Sequence, residues 1–438
     1  MPHPLSSTLL RHLLIALPGV TLVVACAAEP ARNSLDARPA PPAAASLVVA
    51  PDEPVAPMDF AGWVTAFRAQ ALAEGISPAL FDRAFAGMTP DPQVVQADHS
   101  QPEFSRPVWE YLDSALSGQR VATGRRLLGE HAETLARVER QYGVDRYALV
   151  AIWGLESNFG RVMGNKSVIR SLATLAYEGR RPEFARSQLL AALRILEQGD
   201  ISPERMQGSW AGAMGQTQFI PTTYQDYAVD FDGDGRRDIW SSAADALASA
   251  GHYLQQSGWR YRQPWGFEVQ LAPGFDYALA DPAVRKTVAE WRALGVEGIP
   301  AGDSQAMAGL ILPAGHRGPA FLAQDNFRSV LRYNNSTSYA LAVSLLAERL
   351  QGGGQVNGRW PTEDRPLSRS ERIELQERLA ALGFEPGAAD SIIGANTRRA
   401  VREYQRALGW PADGYPTPQL LERLRAEPQV ADSAARQG

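Results

Sequence analysis

Val150-Ala151-Ile152-Trp153-Gly154-Leu155-Glu156-Ser157-Asn158-Phe159-Gly160 is an apolar run that stops on one carboxylate and then turns small, polar and aromatic. With a helical period, Leu149, Ile152 and Trp153 fall on the same face as Glu156. The spacing predicts a core helix over Arg146–Leu155, with Glu156 on its buried stripe rather than its wet face. A carboxyl held against apolar side chains has a disfavoured charged form, so its pKa rises and it can act as a general acid near neutral pH. A second account has Glu156 merely ending the helix and turning its head to water through Ser157 and Asn158. Spacing alone leaves both open.

Working outward, 438 residues suggest about three units at ~150 residues each. Hydrophobic residues make up 45% and charged residues 21%, an ordinary balance for a globular protein with a real core. A net charge of −5 argues against a nucleic-acid partner, which calls for basic patches. A single cysteine, Cys26, excludes an internal disulfide framework. The apolar segment before it, Leu13 to Val24, is too short to span a bilayer as a helix and has the form of a signal-peptide core. Val23-Val24-Ala25-Cys26 resembles a bacterial lipobox, which implies cleavage after residue 25 and lipidation of Cys26. Several acyl chains would make that a stable membrane anchor. Ala27, rather than Asp, follows the cysteine, and by the same resemblance this points to the periplasmic face of the outer membrane.

Residues 26–58 carry prolines among alanines and small polar residues and read as a disordered or polyproline tether reaching roughly 90 Å. From residue 59 the pattern turns helical, beginning with Phe60, Trp63 and Phe67. Further helices are expected over Val108–Ser117, Gly124–Tyr142, Ser167–Tyr177, Pro182–Gln198, Pro221–Tyr227, Ala243–Ser257, Pro282–Leu294 and Ser338–Leu350. Strand-like alternation is confined to Gly266–Leu271, Ala306–Leu312 and Phe327–Tyr333. The unit from 59 to 350 is thus mainly α with a small β excursion. A glycine-rich linker covers 351–366. Beyond it, 367–425 forms a small three-helix unit. Ser368 and Glu371 give it a capping box, Gly383 and Gly409 are helix stops, and Thr417-Pro418 starts its last helix. Residues 426–438 read as a disordered tail.

Three more stretches can carry chemistry. Arg180 and Arg181 at a helix entry are either a solvated helix start or guanidinium forks for an anionic or carbonyl-bearing ligand. Ser209-Trp210-Ala211-Gly212-Ala213-Met214-Gly215-Gln216-Thr217-Gln218-Phe219-Ile220-Pro221 mixes small residues, flat rings and hydrogen-bonding groups. That mix suits a sugar site, and it equally suits a tight helix-packing turn. Asp230-Phe231-Asp232-Gly233-Asp234-Gly235 opens like an EF-hand calcium loop. Ser241 stands where the bidentate Glu belongs, and Asp245 on the next helix could replace it; a solvated acidic turn is the alternative. Tyr253 and Tyr333-Asn334 lie outside the obvious core stripes.

Taken together, these stretches resemble the membrane-bound lytic murein transglycosylase B family. The matching residues include Gly154-Leu155-Glu156-Ser157 through Gly164, Ala173-Thr174-Leu175-Ala176-Tyr177 and Gly179-Arg180-Arg181. They continue with Ser209 through Gly215, Gln218-Phe219-Ile220-Pro221, Ala228 through Gly235 and Arg332-Tyr333-Asn334, in family order. The C-terminal unit resembles a peptidoglycan-binding module through Leu375-Gln376, Leu382-Gly383-Phe384, Gly394, Thr397, Tyr404-Gln405 and Asp413-Gly414. It departs at Asp390-Ser391, where that module usually has Asp-Gly.

The resemblance implies a lysozyme-like (α+β) catalytic domain, mainly α, acting on peptidoglycan glycan strands. It implies cleavage of the β-1,4 bond between N-acetylmuramic acid and N-acetylglucosamine without water, leaving a 1,6-anhydro ring. By position Glu156 matches the acid/base, and Ser209, Gln218, Tyr253, Tyr333 and Asn334 match residues around the sugars. Arg180 and Arg181 match groups near the substrate. Asp230, Asp232, Asp234, the Arg236 carbonyl and Asp245 match a structural calcium loop, and no cofactor is implied for catalysis. Cell-wall synthesis enzymes are implied as partners. Two other readings stay open on the residues: a muramidase-type hydrolase of the same fold, and a non-catalytic peptidoglycan-binding lipoprotein.

Overall fold

The computed structural model describes residues 58–100 and 106–427. Cys26, the signal segment, all but Met58 of the tether, and residues 428–438 of the tail lie outside the described residues. Among the described residues no helix is long and apolar enough to cross a membrane.

The frame is mainly helical and holds two adjoining cores. The first surrounds the helix Arg146–Ser157 and its packing partner Thr337–Gln351. Asp145 starts the former by accepting the N–H groups of Tyr147 and Ala148, at 2.7 and 3.3 Å. Every residue from Ala148 to Gly154 is buried, so this helix is enclosed all round rather than amphipathic. The second core joins Phe60–Ala73, Pro78–Ala84, Val168–Glu178, Pro182–Glu197 and Pro221–Tyr227. Tyr253 and Tyr333 pack against both cores, marking the seam between them.

The β excursion is a five-stranded antiparallel sheet. In spatial order it runs Lys286–Thr287, Met307–Ile311, Ala320–Ala323, Gly266–Leu271, Val296–Glu297. Its central strand is buried on both faces. Phe321 and Ala323 enter the first helical core, while Ala320 and Leu322 pack with Val269, Leu310 and Trp291 in a core of the sheet's own.

Three expectations need correction. Phe327–Tyr333 is helix, not strand: Asp325–Tyr333 places Phe327 and Val330 three residues apart on its buried face. A short apolar run does not separate the two periods. Gly124–Tyr142 is two helices, Gly118–Glu130 and Ala132–Tyr142. The break falls at His131, whose ring packs edge-on against Trp153. Pro282–Leu294 is helical only over Val288–Ala293, started by a Thr287–Glu290 capping box at the end of a two-residue strand. A further helix, Pro92–Ser100, has no counterpart in the expected set.

Residues 351–366 lie against the helical unit. Glu268 accepts the N–H groups of Asn357 and Gly358, Trp360 packs on the first core, and Asp364 pairs with Arg317. The C-terminal helices Arg369–Ala381, Ala395–Ala407 and Pro418–Arg425 close over Leu375, Leu379, Val401, Tyr404, Leu420 and Leu424. This module is docked on the sheet side of the preceding helical unit. Asp413 accepts from the His316 backbone N–H at 2.8 Å and lies 2.6 Å from its Nδ1, and buried Arg402 pairs with Asp281. At the Asp390-Ser391 departure, Ser391 sits at φ 72, in the left-handed region that a glycine occupies without strain. Gln376 holds it there by accepting its N–H at 3.0 Å.

Candidate active site

Glu156 occupies the last turn of the core helix. The helix ends because Asn158, Phe159 and Gly160 all take left-handed conformations, at φ 49, 60 and 78. The reversal lays the Phe159 ring back onto the helix, where a Cβ on Gly154 would come within 2.8 Å of it. Gly160 likewise leaves room for Gln216, whose Oε1 would lie 2.6 Å from an added Cβ. Gln216 pins the whole corner. Its Oε1 accepts from Trp153 Nε1 at 2.8 Å, its carbonyl accepts from Ser157 Oγ at 2.8 Å, and its Nε2 donates to the Trp240 carbonyl at 3.2 Å. Thus the loop rich in small residues is bolted to the helix that carries the acid.

Glu156 itself is half-buried. Its polar partner is Tyr339, whose hydroxyl donates to Oε1 at 2.5 Å. Desolvation dominates: it pushes the carboxyl up to about 7, and the Tyr339 hydrogen bond pulls the other way without cancelling it. No neighbouring charge contributes to that shift. Tyr339 and Tyr333 are both held well above the ordinary phenol range, first by burial and then by the Glu156 charge.

Among the sugar-type residues, Tyr333 lies close enough to Glu156 for the carboxylate's charge to act on its phenol. Tyr333 packs edge-on with Tyr253 and at a tilt with Phe219, ring centroids at 5.0 and 5.8 Å, and donates to the Thr217 carbonyl at 2.7 Å. Tyr253 donates to the Arg332 carbonyl at 2.5 Å. Gln218 sits at φ 52 with its Nε2 donating to the carbonyls of Gly215 and Met163 at 2.8 and 3.1 Å, which leaves its Oε1 to accept. Ser209 Oγ accepts the N–H groups of Ala213 and Ala211 at 3.0 and 3.3 Å. Its own proton is used by no described residue. Asn334 caps the Asp325–Tyr333 helix and is exposed beside Tyr333.

Arg180 and Arg181 are not brought to Glu156 by any contact. Arg180 is tied to buried Asp98 through its N–H at 2.9 Å and its guanidinium at 3.2 Å. Burial raises the Asp98 carboxyl, but those two bonds together with the Arg180 and His99 charges outweigh it and hold the group below its usual range. Arg181 lies over the exposed Phe184 ring at 5.2 Å, at the N-terminus of the Pro182–Glu197 helix.

In the acidic loop, Asp230, Asp232 and fully buried Asp245 each place a carboxylate oxygen within 4.8 Å of the others. Asp245 is also the loop's organiser: it accepts the N–H groups of Phe231, Asp232 and Asp238 at 2.8, 3.3 and 2.8 Å. Burial and the facing Asp232 raise its carboxyl despite those three donors. Asp234 lies outside the cluster and accepts the Arg236 N–H at 2.9 Å. Oxygen ligands in mutual repulsion suit a hard divalent cation.

Tyr339 and Gln216 escaped the sequence reading. Tyr339 follows Ser336-Thr337-Ser338, a helix start that looks like structure alone, and Gln216 hides among glycine, methionine and threonine.

A half-buried acid ending a core helix, faced by a tyrosine cluster and an amide-bearing loop in a lysozyme-like frame, defines the class of glycan-cleaving enzymes. The chain belongs to the transglycosylase SLT domain family, which matches residues 59–348, and residues 368–424 match the putative peptidoglycan binding domain. It is a lytic transglycosylase acting on peptidoglycan. Membrane-bound lytic murein transglycosylase B of Escherichia coli K12 is 30% identical over 360 residues, covering 77% of this chain and 97% of that protein. SltB3 of Pseudomonas aeruginosa, solved in complex with NAG-anhNAM-pentapeptide, is 63% identical with a TM-score of 0.82, covering 84% of this chain and 99% of that one. Slt35 of Escherichia coli, solved in complex with calcium, is 27% identical with a TM-score of 0.58, covering 66% of this chain and 92% of that one.

Proposed function

We propose that Glu156 is the single acid/base of a non-hydrolytic cleavage between N-acetylmuramic acid and N-acetylglucosamine. The observation that carries this is a carboxyl raised to about 7 with one hydrogen-bond donor and no charged neighbour contributing to the shift. Protonated, it gives its proton to the leaving O4 as the C1–O4 bond breaks. As carboxylate it then takes the proton of the muramic acid's O6 hydroxyl while O6 closes on C1, and it ends protonated again. Intramolecular attack replaces the bound water and second carboxylate of a hydrolase. Ser209 has a proton to donate to a sugar or acetamido oxygen, and Tyr333, its own proton spent on Thr217, has an oxygen that accepts. Tyr253, Gln218 and Asn334 line the same approach, and Arg180 and Arg181 serve the strand further out.

We assign Asp230, Asp232 and Asp245 to a structural calcium site, to which Asp234 and the Arg236 carbonyl would add ligands. The support is the converging carboxylates together with the calcium complex of Slt35. Calcium would rigidify the loop and supply no step of the reaction. Cys26 after its apolar segment supports a lipid anchor, with the catalytic unit on the periplasmic face of the outer membrane, remodelling and turning over the wall alongside the enzymes that build it. Residues 367–425 would hold the strand that the catalytic domain, 59–350, cuts.

Mass spectrometry of digested murein tests the reaction. Products ending in 1,6-anhydro-muramic acid are expected from the wild type and none from Glu156→Gln. Reducing ends would make the protein a hydrolase.

A further inference from the structure

The acidic loop and the helix that carries the acid meet at one buried amide, Gln216. On the loop side, Asp245 divides its two carboxylate oxygens between the limbs of the loop. Oδ1 accepts the N–H groups of Phe231 and Asp232, and Oδ2 accepts that of Asp238 at 2.8 Å. Asp238 in turn fixes the residues that follow, its Oδ1 accepting the N–H groups of Trp240 and Ser241 at 2.9 and 2.8 Å. Gln216 donates to the Ile239 carbonyl from its backbone N–H at 2.9 Å and to the Trp240 carbonyl from Nε2 at 3.2 Å. No slack separates the two segments: a Cβ on Gly215 would come within 2.7 Å of fully buried Ile239.

The other two polar atoms of Gln216 serve the catalytic helix. Its Oε1 accepts from Trp153 Nε1 and its carbonyl from Ser157 Oγ, both at 2.8 Å, and Ser157 is the residue after Glu156. The next carbonyl in the chain, that of Thr217, accepts from Tyr333 at 2.7 Å. Gln216 is 5% exposed. A shift of Ile239 and Trp240 that it did not follow would strand buried donors and acceptors, which makes the two sides move together.

We infer that Gln216 is a positioning residue that couples the acidic loop to Glu156, so that calcium in the loop and glycan in the cleft strengthen each other's binding. The inference rests on the calcium and glycan readings given above. With the repulsion between Asp232 and Asp245 relieved by the ion, segment 238–240 is held in one arrangement, and Gln216 passes that order to the turn bearing Glu156. A loop left unliganded lets that turn sample other arrangements, which the glycan must select against.

The test is calorimetric titration of the full-length protein after a chelator has stripped it of metal. Chitotetraose is titrated with and without saturating calcium, and calcium with and without saturating chitotetraose. In the wild type, calcium should tighten chitotetraose by roughly tenfold, and chitotetraose should tighten calcium by the same factor, as linkage requires. Gln216→Met fills the space without an amide, and loss of the side-chain links should cut the factor to about threefold. Adding Ser157→Ala removes the backbone link to the helix and should leave no coupling. Should Gln216→Met not fold, Trp153→Phe cuts the same side-chain link from the helix side, alone and with Ser157→Ala. A residue that served only the fold would lower stability, or both affinities together, and leave the coupling factor unchanged. Equal chitotetraose affinity with and without calcium in the wild type overturns the inference, as does a wild-type factor kept in the double variant. A wild type that takes up no calcium removes the calcium reading, and one that binds no chitotetraose under either condition removes the glycan reading. The inference falls with either, and the titration that gives no heat tells which reading failed.

Discussion

Asp245 and Glu156 are both withdrawn from water, and the protein compensates them differently. Asp245 is fully buried and receives three backbone N–H groups; Glu156 is only half-buried and receives one hydroxyl. Burial raises both, and in each case the donors oppose it. The difference lies in what surrounds the charge. Asp245 replaces lost water with fixed N–H dipoles that shape a loop, and its remaining repulsion is with Asp232, which a cation would relieve. Glu156 is left short of donors, so its proton is loosely matched to either state near neutrality. Depth alone does not make an acid; the number of donors does.

The comparison breaks first at Glu156. Glu156→Gln keeps the shape and removes the transferable proton, so turnover of murein should fall at least about a thousandfold while binding of the glycan survives. Retention of a tenth of wild-type turnover would move the acid elsewhere. At Asp245 the expected loss is in the fold. Asp245→Ala strands the N–H groups of Phe231, Asp232 and Asp238, and thermal unfolding should show a loss of about 3 kcal/mol. Calcium should raise the melting temperature of the wild type and leave that of the variant unmoved. A variant still stabilised by calcium would free Asp245 from the site.

Legibility in the sequence followed the same divide. The helix ending at Glu156 could be read because an unbroken apolar run fixes burial, and burial is what raises the carboxyl. The converging aspartates could be read because spacing within one loop is local, although Asp234 stays outside the cluster. Tyr339 could not, since its hydrogen bond to Glu156 spans 183 positions and depends on how two helices pack. Gln216 is similar, a buried amide whose worth lies in partners at Trp153, Ser157 and Trp240. Alternation marks two of the sheet's five strands, Gly266–Leu271 and Met307–Ile311, but not the central Ala320–Ala323, which is buried at every position, and Phe327–Tyr333 is helix although its apolar spacing fits both periods. Docking of the C-terminal module through Asp413 and Arg402 left no local signal at all.

Tyr339 sharpens the comparison by changing the donor count on Glu156 from one to none. The phenol stabilises the carboxylate, so Tyr339→Phe should lift the Glu156 pKa above about 7. The alkaline limb of the activity profile should move upward with it, and peak turnover should fall by roughly tenfold because the carboxylate must still form to take the O6 proton. A limb that moves down would mean Tyr339 supports the protonated form instead.

The smallest effect is on stability, and it concerns Glu156 again. Its native pKa of about 7 lies above the ordinary 4.5, so the folded state binds the proton more tightly than the unfolded chain. Below pH 4.5 both states are protonated and the group is neutral to folding. Between 4.5 and 7 the unfolded chain releases its proton first, and stability declines as pH rises, levelling above 7. Glu156→Gln removes that decline. Denaturant unfolding should therefore show little difference between the two proteins at pH 4 and a variant more stable by about 1–2 kcal/mol at pH 8, a figure reduced for the water that reaches the cleft. Equal stability at both pH values would mean that the carboxyl is solvated like a surface acid. The contrast with Asp245, whose removal weakens the fold, would then rest on hydrogen-bond donors alone.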